Sequence, residues 1–239
     1  MAEYREMAPP PRFAETIECF WSMRQTGPGP LHRVMPDGCA DILFTNNGAG
    51  AALDAVGPMT TWRDHPLAGG QLLVGVRFRP GMWTASLGIG CDGLTNEIVP
   101  LDGLWGHRAG ELLERLAEAP SIEECVALFE QFLQPAGGAD PLQRALAWME
   151  KRHGLVSLDC LARQAGLGPR QFRRLCLQQT GLPPKFLARV LRFRHSLSRL
   201  ENRPASLAQL ALDCGYYDQA HFINEFREFS GRTPTHPGA

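Results

Sequence analysis

The stretch Ser206-Leu-Ala-Gln-Leu-Ala-Leu-Asp-Cys-Gly215 repeats an earlier one, Ser157-Leu-Asp-Cys-Leu-Ala-Arg-Gln-Ala-Gly166. Ser157, Leu158, Leu161, Ala162 and Gly166 recur as Ser206, Leu207, Leu210, Ala211 and Gly215, an offset of 49. Past the glycine the offset is 50, pairing Phe172 with Phe222, Cys176 with Phe226, Gly181 with Gly231 and Pro184 with Pro234. The extra residue falls in Tyr216-Tyr217-Asp218. Each copy reads as a serine-capped helix, a glycine turn, a second helix and a Gly-x-x-Pro stop. Serine accepts from free N–H groups at a helix start, and glycine takes the left-handed conformation that ends one. Two helices joined by a short glycine turn make a helix-turn-helix, whose second helix can enter a DNA major groove.

At about 100° per residue, Phe172, Leu175, Cys176 and Gln179 share one side of the first unit's second helix. Arg170, Arg173, Arg174 and Leu177 share the other. Three arginines on a helix face are by themselves equally consistent with a solvated surface and with a contact surface. On the second helix of a helix-turn-helix they are better explained as phosphate and groove contacts, since arginine pairs bidentately with guanine. In the second unit Phe222, Phe226 and Phe229 form the buried stripe, opposite Gln219, Ala220, His221, Asn224 and Arg227. That face can read bases but carries less positive charge, so the first unit should dominate affinity and the second refine specificity. Between the units, Lys185–Leu200 places Phe186, Val190, Phe193, Leu197 and Leu200 on a core stripe, with Arg189, Arg192 and Arg199 off it. A helix of about 24 Å would hold the two reading helices near one DNA turn apart, about 34 Å.

Charge supports this division. The 239 residues carry 24 basic and 25 acidic side chains, a net of −1. Met1 to Asp140 holds 9 basic and 18 acidic residues, net −9, and Pro141 to Ala239 holds 15 and 7, net +8. A basic half points to a polyanionic partner. Apolar residues make up 44% and charged residues 21%, the balance of a globular chain. No apolar run reaches the roughly 18 residues of a membrane span, and the N-terminus lacks the apolar core of a signal peptide. Seven scattered cysteines without a Cys-x-x-Cys pair fit reduced thiols in a cytoplasmic protein.

The acidic half alternates short apolar runs with Gly, Pro and Asn, as strands and turns do. Cys19–Met23, Leu31–Met35, Ala40–Thr45 and Leu72–Phe78 read as strands, with Pro36-Asp37-Gly38 as a turn. Trp105–Ala119 and Ile122–Leu133 have helical spacing, with Ser121 and Glu124 as a capping box. The expected fold is therefore α+β. A β-rich domain with trailing helices spans residues 1–134, a linker 135–140, and an all-α domain of two helix-turn-helix units 141–239.

Residues 141–235 resemble the DNA-binding domain of the AraC/XylS family of transcription regulators. Ser157–Gly166, Phe172-Arg-Arg-Leu, Thr180-Gly-Leu-Pro-Pro and Gly215-Tyr-Tyr-Asp-Gln-Ala-His-Phe-Ile-Asn-Glu-Phe-Arg carry the likeness, with Ser230-Gly-Arg-Thr-Pro234. The resemblance implies promoter DNA as partner, contacted by Arg170, Arg173 and Arg174 and by Gln219, His221 and Asn224. It also implies RNA polymerase as a partner if the protein is an activator. Where the family continues with an aromatic-Arg pair this chain has Thr235-His236-Pro237, so a short closing helix is expected.

Arg33-Val-Met-Pro-Asp-Gly-Cys-Ala-Asp-Ile-Leu-Phe44, Gly75-Val-Arg-Phe-Arg-Pro-Gly81 and Val99-Pro-Leu-Asp-Gly-Leu-Trp105 resemble an uncharacterised domain that precedes AraC-type readers. That implies a sensor or dimerisation module, cupin-like, with no ligand specified. Its histidines, His32, His65 and His107, lack metal-ligand spacing, and no catalytic or nucleotide-binding motif occurs, so neither a metal, a cofactor nor catalysis is expected. Arg77 and Arg79 share a strand face: turned inward they suit an anionic effector, turned outward they pair with the domain's acids, the favoured alternative. Trp21, Trp62 and Trp83 could wall an effector pocket or simply fill a core. Trp105–Leu133 could contact a second copy or pack on its own domain. Two other readings compete: an alkyl-transfer regulator with Cys39 as acceptor, and a cupin-like metal enzyme.

Overall fold

The computed structural model describes residues 2–27, 31–135, 140–202 and 206–234. The N-terminal half contains β1 (Ala2–Met7), β2 (Ile17–Gln25), β3 (His32–Val34), β4 (Ala40–Asn46), β5 (Ala51–Val56), β6 (Arg63–His65), β7 (Leu72–Phe78) and β8 (Ile98–Pro100). Six strands form one antiparallel sheet in the order β1-β2-β7-β4-β5-β8, and β3 and β6 pair as a separate ribbon. Leu72–Phe78 has the expected bounds, whereas Cys19–Met23 extends at both ends and Leu31–Met35 shortens to three residues.

Alternation along the strands makes two faces with different chemistry. Ala40, Ile42 and Phe44, Leu53 and Ala55, and Val74, Val76 and Phe78 point into a hydrophobic core. Against them pack α3 (His107–Glu118) and α4 (Ile122–Phe132), through Leu112, Leu116, Leu128 and Phe129. The apolar stripes in Trp105–Leu133 are therefore buried on their own sheet. Ser121 accepts from the Glu124 N–H at 3.2 Å as expected, while a full reciprocal capping box forms at Asp140 and Gln143. Gly106, at φ 63°, divides the expected Trp105–Ala119 helix and leaves a short α2 (Asp102–Trp105) before α3. An unexpected helix, α1 (Met82–Leu87), follows β7.

Helices alone make the C-terminal half: α5 (Pro141–Lys151), α6 (Leu158–Gln164), α7 (Pro169–Thr180), α8 (Pro184–Glu201), α9 (Leu207–Asp213) and α10 (Gln219–Ser230). The sequence repeat is repeated in detail. Ser157 caps α6 by accepting from Cys160 N–H, and Ser206 caps α9 by accepting from Gln209 N–H. The ends of α7 and α10 match too. Thr180 Oγ1 donates to the Cys176 carbonyl at 2.8 Å and Ser230 Oγ to the Phe226 carbonyl at 2.6 Å. Gly181 (φ 70°) and Gly231 (φ 71°) then turn the chain out of each helix. Removing the Ser206 cap by Ser206→Ala should cost about 1 kcal/mol, read as a shift in a denaturation midpoint with unchanged slope.

α8 is the wall the two units share. Leu187 and Leu191 pack with α5, α6 and α7, while Val190, Phe193 and Leu200 pack with α9 and α10. The second set follows the expected stripe; the first is a further stripe the sequence reading missed. At 18 residues α8 is about 27 Å long. Residues 136–139 of the linker and 235–239, where the short closing helix was expected, lie outside the described residues.

Candidate nucleic-acid interface

The outward face of α7 is a row of unpaired cations. Arg170, Arg173 and Arg174 are exposed, while Phe172 and Cys176 on the other side are buried at 2% and 0% exposure. None of the three arginines makes an ion pair or side-chain hydrogen bond among the described residues. The arginines of α8 behave differently. Arg189 lies 2.7 Å from Glu225 and 2.6 Å from Glu228, Arg192 lies 2.9 Å from Glu225, and Arg199 lies 3.4 Å from Asp213. Their charge is neutralised within the fold; that of α7 is not.

α10 presents a milder surface. Gln219, His221, Asn224 and Arg227 are all exposed, and Asp218 fixes the helix start by accepting from His221 N–H at 2.7 Å. The His221 ring stands edge-on to Tyr216, with centroids 5.3 Å apart, and its Nδ1 accepts from the Tyr217 N–H. On the inward side Glu225, 3% exposed, faces Arg189 and Arg192 of α8. The structure thus presents all seven residues expected to contact DNA, in two groups on two helices that pack on opposite sides of α8.

The N-terminal domain grips both of these helices at their C-terminal ends, where carbonyls lack partners within the helix. At α7 the Cys91 N–H donates to Gln178 O at 2.8 Å and Thr95 Oγ1 to Gly181 O at 2.6 Å. At α10 Arg33 Nη1 donates to Ser230 O at 3.3 Å, and Trp62 lies against Gly231, where a Cβ would come within 2.3 Å of its ring. Arg33 is itself stacked over Trp62 at 4.0 Å and paired bidentately with Asp64 across the β3–β6 ribbon. Midway between, Arg194 of α8 pairs with Glu18 and donates to the Asp37 carbonyl at 3.1 Å. The frame that orients the two helices is therefore partly built by the N-terminal domain.

Above the sheet face opposite its helices, the ribbon partly covers an open-sided cavity of about 370 Å³. Trp21, Met23, Asp41, Leu43, Leu73 and Arg77 are among its lining, all on the alternate face to the core residues. Trp21 lies flat across Gly75, whose missing side chain makes the room, and donates from Nε1 to Asp41 Oδ2 at 2.8 Å. Arg77 Nε sits 3.2 Å from Asp37 and 3.6 Å from Asp41. Burial pushes Asp41 up to about 7 against the pull of Arg77. Arg77 thus lines a cavity and is paired with acids, which joins the two alternatives open in the sequence. Arg79 turns elsewhere, to Glu150 of α5 at 2.8 Å. Trp83 is core, edge-on to Phe78, and Trp62 belongs to the α10 contact. Of the five candidate effector residues, only Trp21 and Arg77 share the cavity.

Residues 161–236 match a family profile described as a helix-turn-helix domain, and residues 5–100 match a domain of unknown function (DUF6597). The helical half is an AraC-type helix-turn-helix domain. Among curated relatives, the transcriptional activator RhaS of Pectobacterium atrosepticum is 26% identical over 160 residues, covering 64% of this chain and 57% of its own. RhaS of Escherichia coli strain SE11 is 36% identical over 90 residues, covering 37% and 32% respectively. The chain thus spans a little over half of one relative and a third of the other. Among solved structures, the DNA-binding domain of AdpA in complex with a target DNA is 27% identical, over 40% of this chain and 87% of that one, with a TM-score of 0.38. ToxT from Vibrio cholerae O395 is 11% identical, over 100% of this chain and 98% of that one, with a TM-score of 0.42.

Within the AraC-type domain, sequence reasoning missed Glu225 as the anchor of α10, though its spacing from Phe222 and Phe229 already placed it on the inward side. Asp41 was likewise missed as a pocket residue. Its signal was the alternation Ala40-Asp41-Ile42-Leu43-Phe44, which sets a carboxylate on the face opposite the core. Cys39 is 4% exposed, and burial, then the carboxylates of Asp37 and Glu18, push its thiol well above the ordinary range. It stays protonated, the opposite of an activated acceptor.

Proposed function

We propose that this chain is a sequence-specific regulator of transcription that reads double-stranded promoter DNA with α7 and α10. In this reading residues 1–134 form an effector module and residues 141–239 the DNA reader, joined through 135–140. The observation that carries the reading is the unpaired row Arg170, Arg173 and Arg174 on the second helix of an AraC-type unit, in a domain where Arg189, Arg192, Arg194 and Arg199 of α8 are paired. An exposed cation row on a recognition helix is what phosphate and guanine contacts need. Gln219, His221, Asn224 and Arg227 would add base contacts at the adjacent groove segment.

The relatives carry the name activator, which favours activation, and RNA polymerase is then the second partner. An effector in the ribbon cavity would act by favouring one arrangement of the frame that holds α7, α8 and α10. A cytoplasmic location belongs with this role, and no helix among the described residues is long and apolar enough to cross a membrane. A homodimer through Trp105–Leu133 draws no support, because that apolar surface already covers the sheet. The alkyl-transfer alternative draws none from Cys39, whose thiol is buried and protonated.

The test is a salt titration of binding to the chain's own upstream DNA. Six or so phosphate contacts predict a slope of log affinity against log salt near −5, so affinity should fall about a thousandfold from 50 to 200 mM. A flat response removes the DNA-binding reading.

A further inference from the structure

We propose that the cavity between the sheet and the β3–β6 ribbon is a binding site for a small organic cation, an apolar amine or quaternary ammonium compound. The inference rests on the reading of the N-terminal half as an effector module and names the class of effector. Size comes first: about 370 Å³ lies in the range of small-molecule pockets. The walls supply the apolar part, with Met23, Val34, Leu43, Val56, Met59 and Leu73 around the space.

The sign of the ligand's charge follows from the floor. Three carboxylates crowd Arg77: Asp37 at 3.2 Å, Asp41 at 3.6 Å and Glu6 at 3.7 Å. An anion entering this cavity would meet a cation already neutralised and an excess of negative charge. Asp54 and Glu97 on the lining against Arg63 leave the balance negative higher up as well. Burial holds the Asp41 carboxyl near 7 against the pull of Arg77, with a further push from the Asp37 carboxylate, so the site retains a proton. A ligand cation can take that proton's place. Trp21 adds an aromatic surface beside Asp41, with Tyr4 tilted against it at 6.2 Å between centroids, and a cation near an aromatic face is stabilised by the ring's negative face.

The test is calorimetric titration of the full chain with phenethylamine and benzyltrimethylammonium, against the neutral 3-phenylpropanol and the anionic 3-phenylpropionate. The expected result is that the cations bind at least tenfold more tightly than the alcohol, that the acid binds weakest, and that Trp21 fluorescence changes on saturation. Asp41→Asn keeps the shape and the Trp21 contact, and should lower the cation-to-alcohol ratio severalfold. A preference for the acid, no discrimination, or no binding by any of the four overturns the assignment. DNA affinity is measured separately on the same protein. Salt-dependent DNA binding without amine binding refutes the cation site alone, and amine binding without DNA binding leaves the site standing and removes the regulator reading.

Discussion

Replacing Arg170, Arg173 and Arg174 together by alanine should lower affinity for cognate DNA about a thousandfold while leaving the fold intact. Each arginine is exposed and unpaired, so its removal breaks no internal contact, and surface changes of this kind alter stability by about 0.5 kcal/mol or less. On DNA each is worth about 1–3 kcal/mol, through a phosphate or a guanine edge. At about 1.4 kcal/mol each, in the lower half of that range, the three together give about 4 kcal/mol, or three orders of magnitude. The salt slope should become shallower by about one for each phosphate contact removed. Asn224→Ala should behave differently: a loss of roughly tenfold, concentrated at one base position, with the slope unchanged. Equal losses for Arg173→Ala and Asn224→Ala would overturn the ranking of the two units. Unchanged affinity in the triple variant would overturn the interface itself.

That contrast was readable in the sequence because helix period and internal repeat supply independent constraints. Once Ser157 and Ser206 are aligned, the buried stripe of one unit fixes that of the other, and the residues facing outward follow by subtraction. Strands carry less information. β7 has the branched, apolar composition of a buried strand, LLVGVRF, and was legible residue for residue. β5, AALDAV, is rich in alanine and shows no such preference; it is a strand because β4 and β8 pair with it on either side. β1 is polar along its length and exists as an edge partner of β2. The effector cavity was legible only in part for the same reason. Trp21 and Arg77 are far apart in sequence and meet through the pairing of β2 with β7, which places Trp21 opposite Gly75. The grip on both recognition helices was not legible at all, since backbone carbonyls at Gln178, Gly181 and Ser230 leave no residue signature.

Glu225→Ala should be strongly destabilising for a change at a charged residue of the helical half, at about 3 kcal/mol. Its carboxylate is 3% exposed and faces two guanidinium groups that are only 28% and 18% exposed. Those arginines sit among rings, Arg189 at 5.0 Å from the Phe229 centroid and Arg192 at 4.5 Å from that of Tyr216. Removing the acid leaves Arg192 without its counter-charge and Arg189 with only the more exposed Glu228, where loss of a counter-charge costs about 3–5 kcal/mol when fully buried and somewhat less with this exposure. For a helical unit of this size the melting temperature should fall by about 10 °C or more. Because Glu225 joins α10 to α8, the loss is also a loss of register between the two reading helices. DNA binding by the second unit should weaken even at temperatures where the variant is folded. Glu225→Gln, which keeps one acceptor but no charge, should fall between. The double replacement Arg192→Met with Glu225→Leu separates charge from packing: apolar side chains of similar volume can restore or exceed the stability of a buried ion pair. Recovery of the melting temperature without recovery of specific DNA binding would place the role of Glu225 in orienting α10. A single Glu225→Ala variant within about 0.5 kcal/mol of the parent would show that α10 is held by its phenylalanines alone.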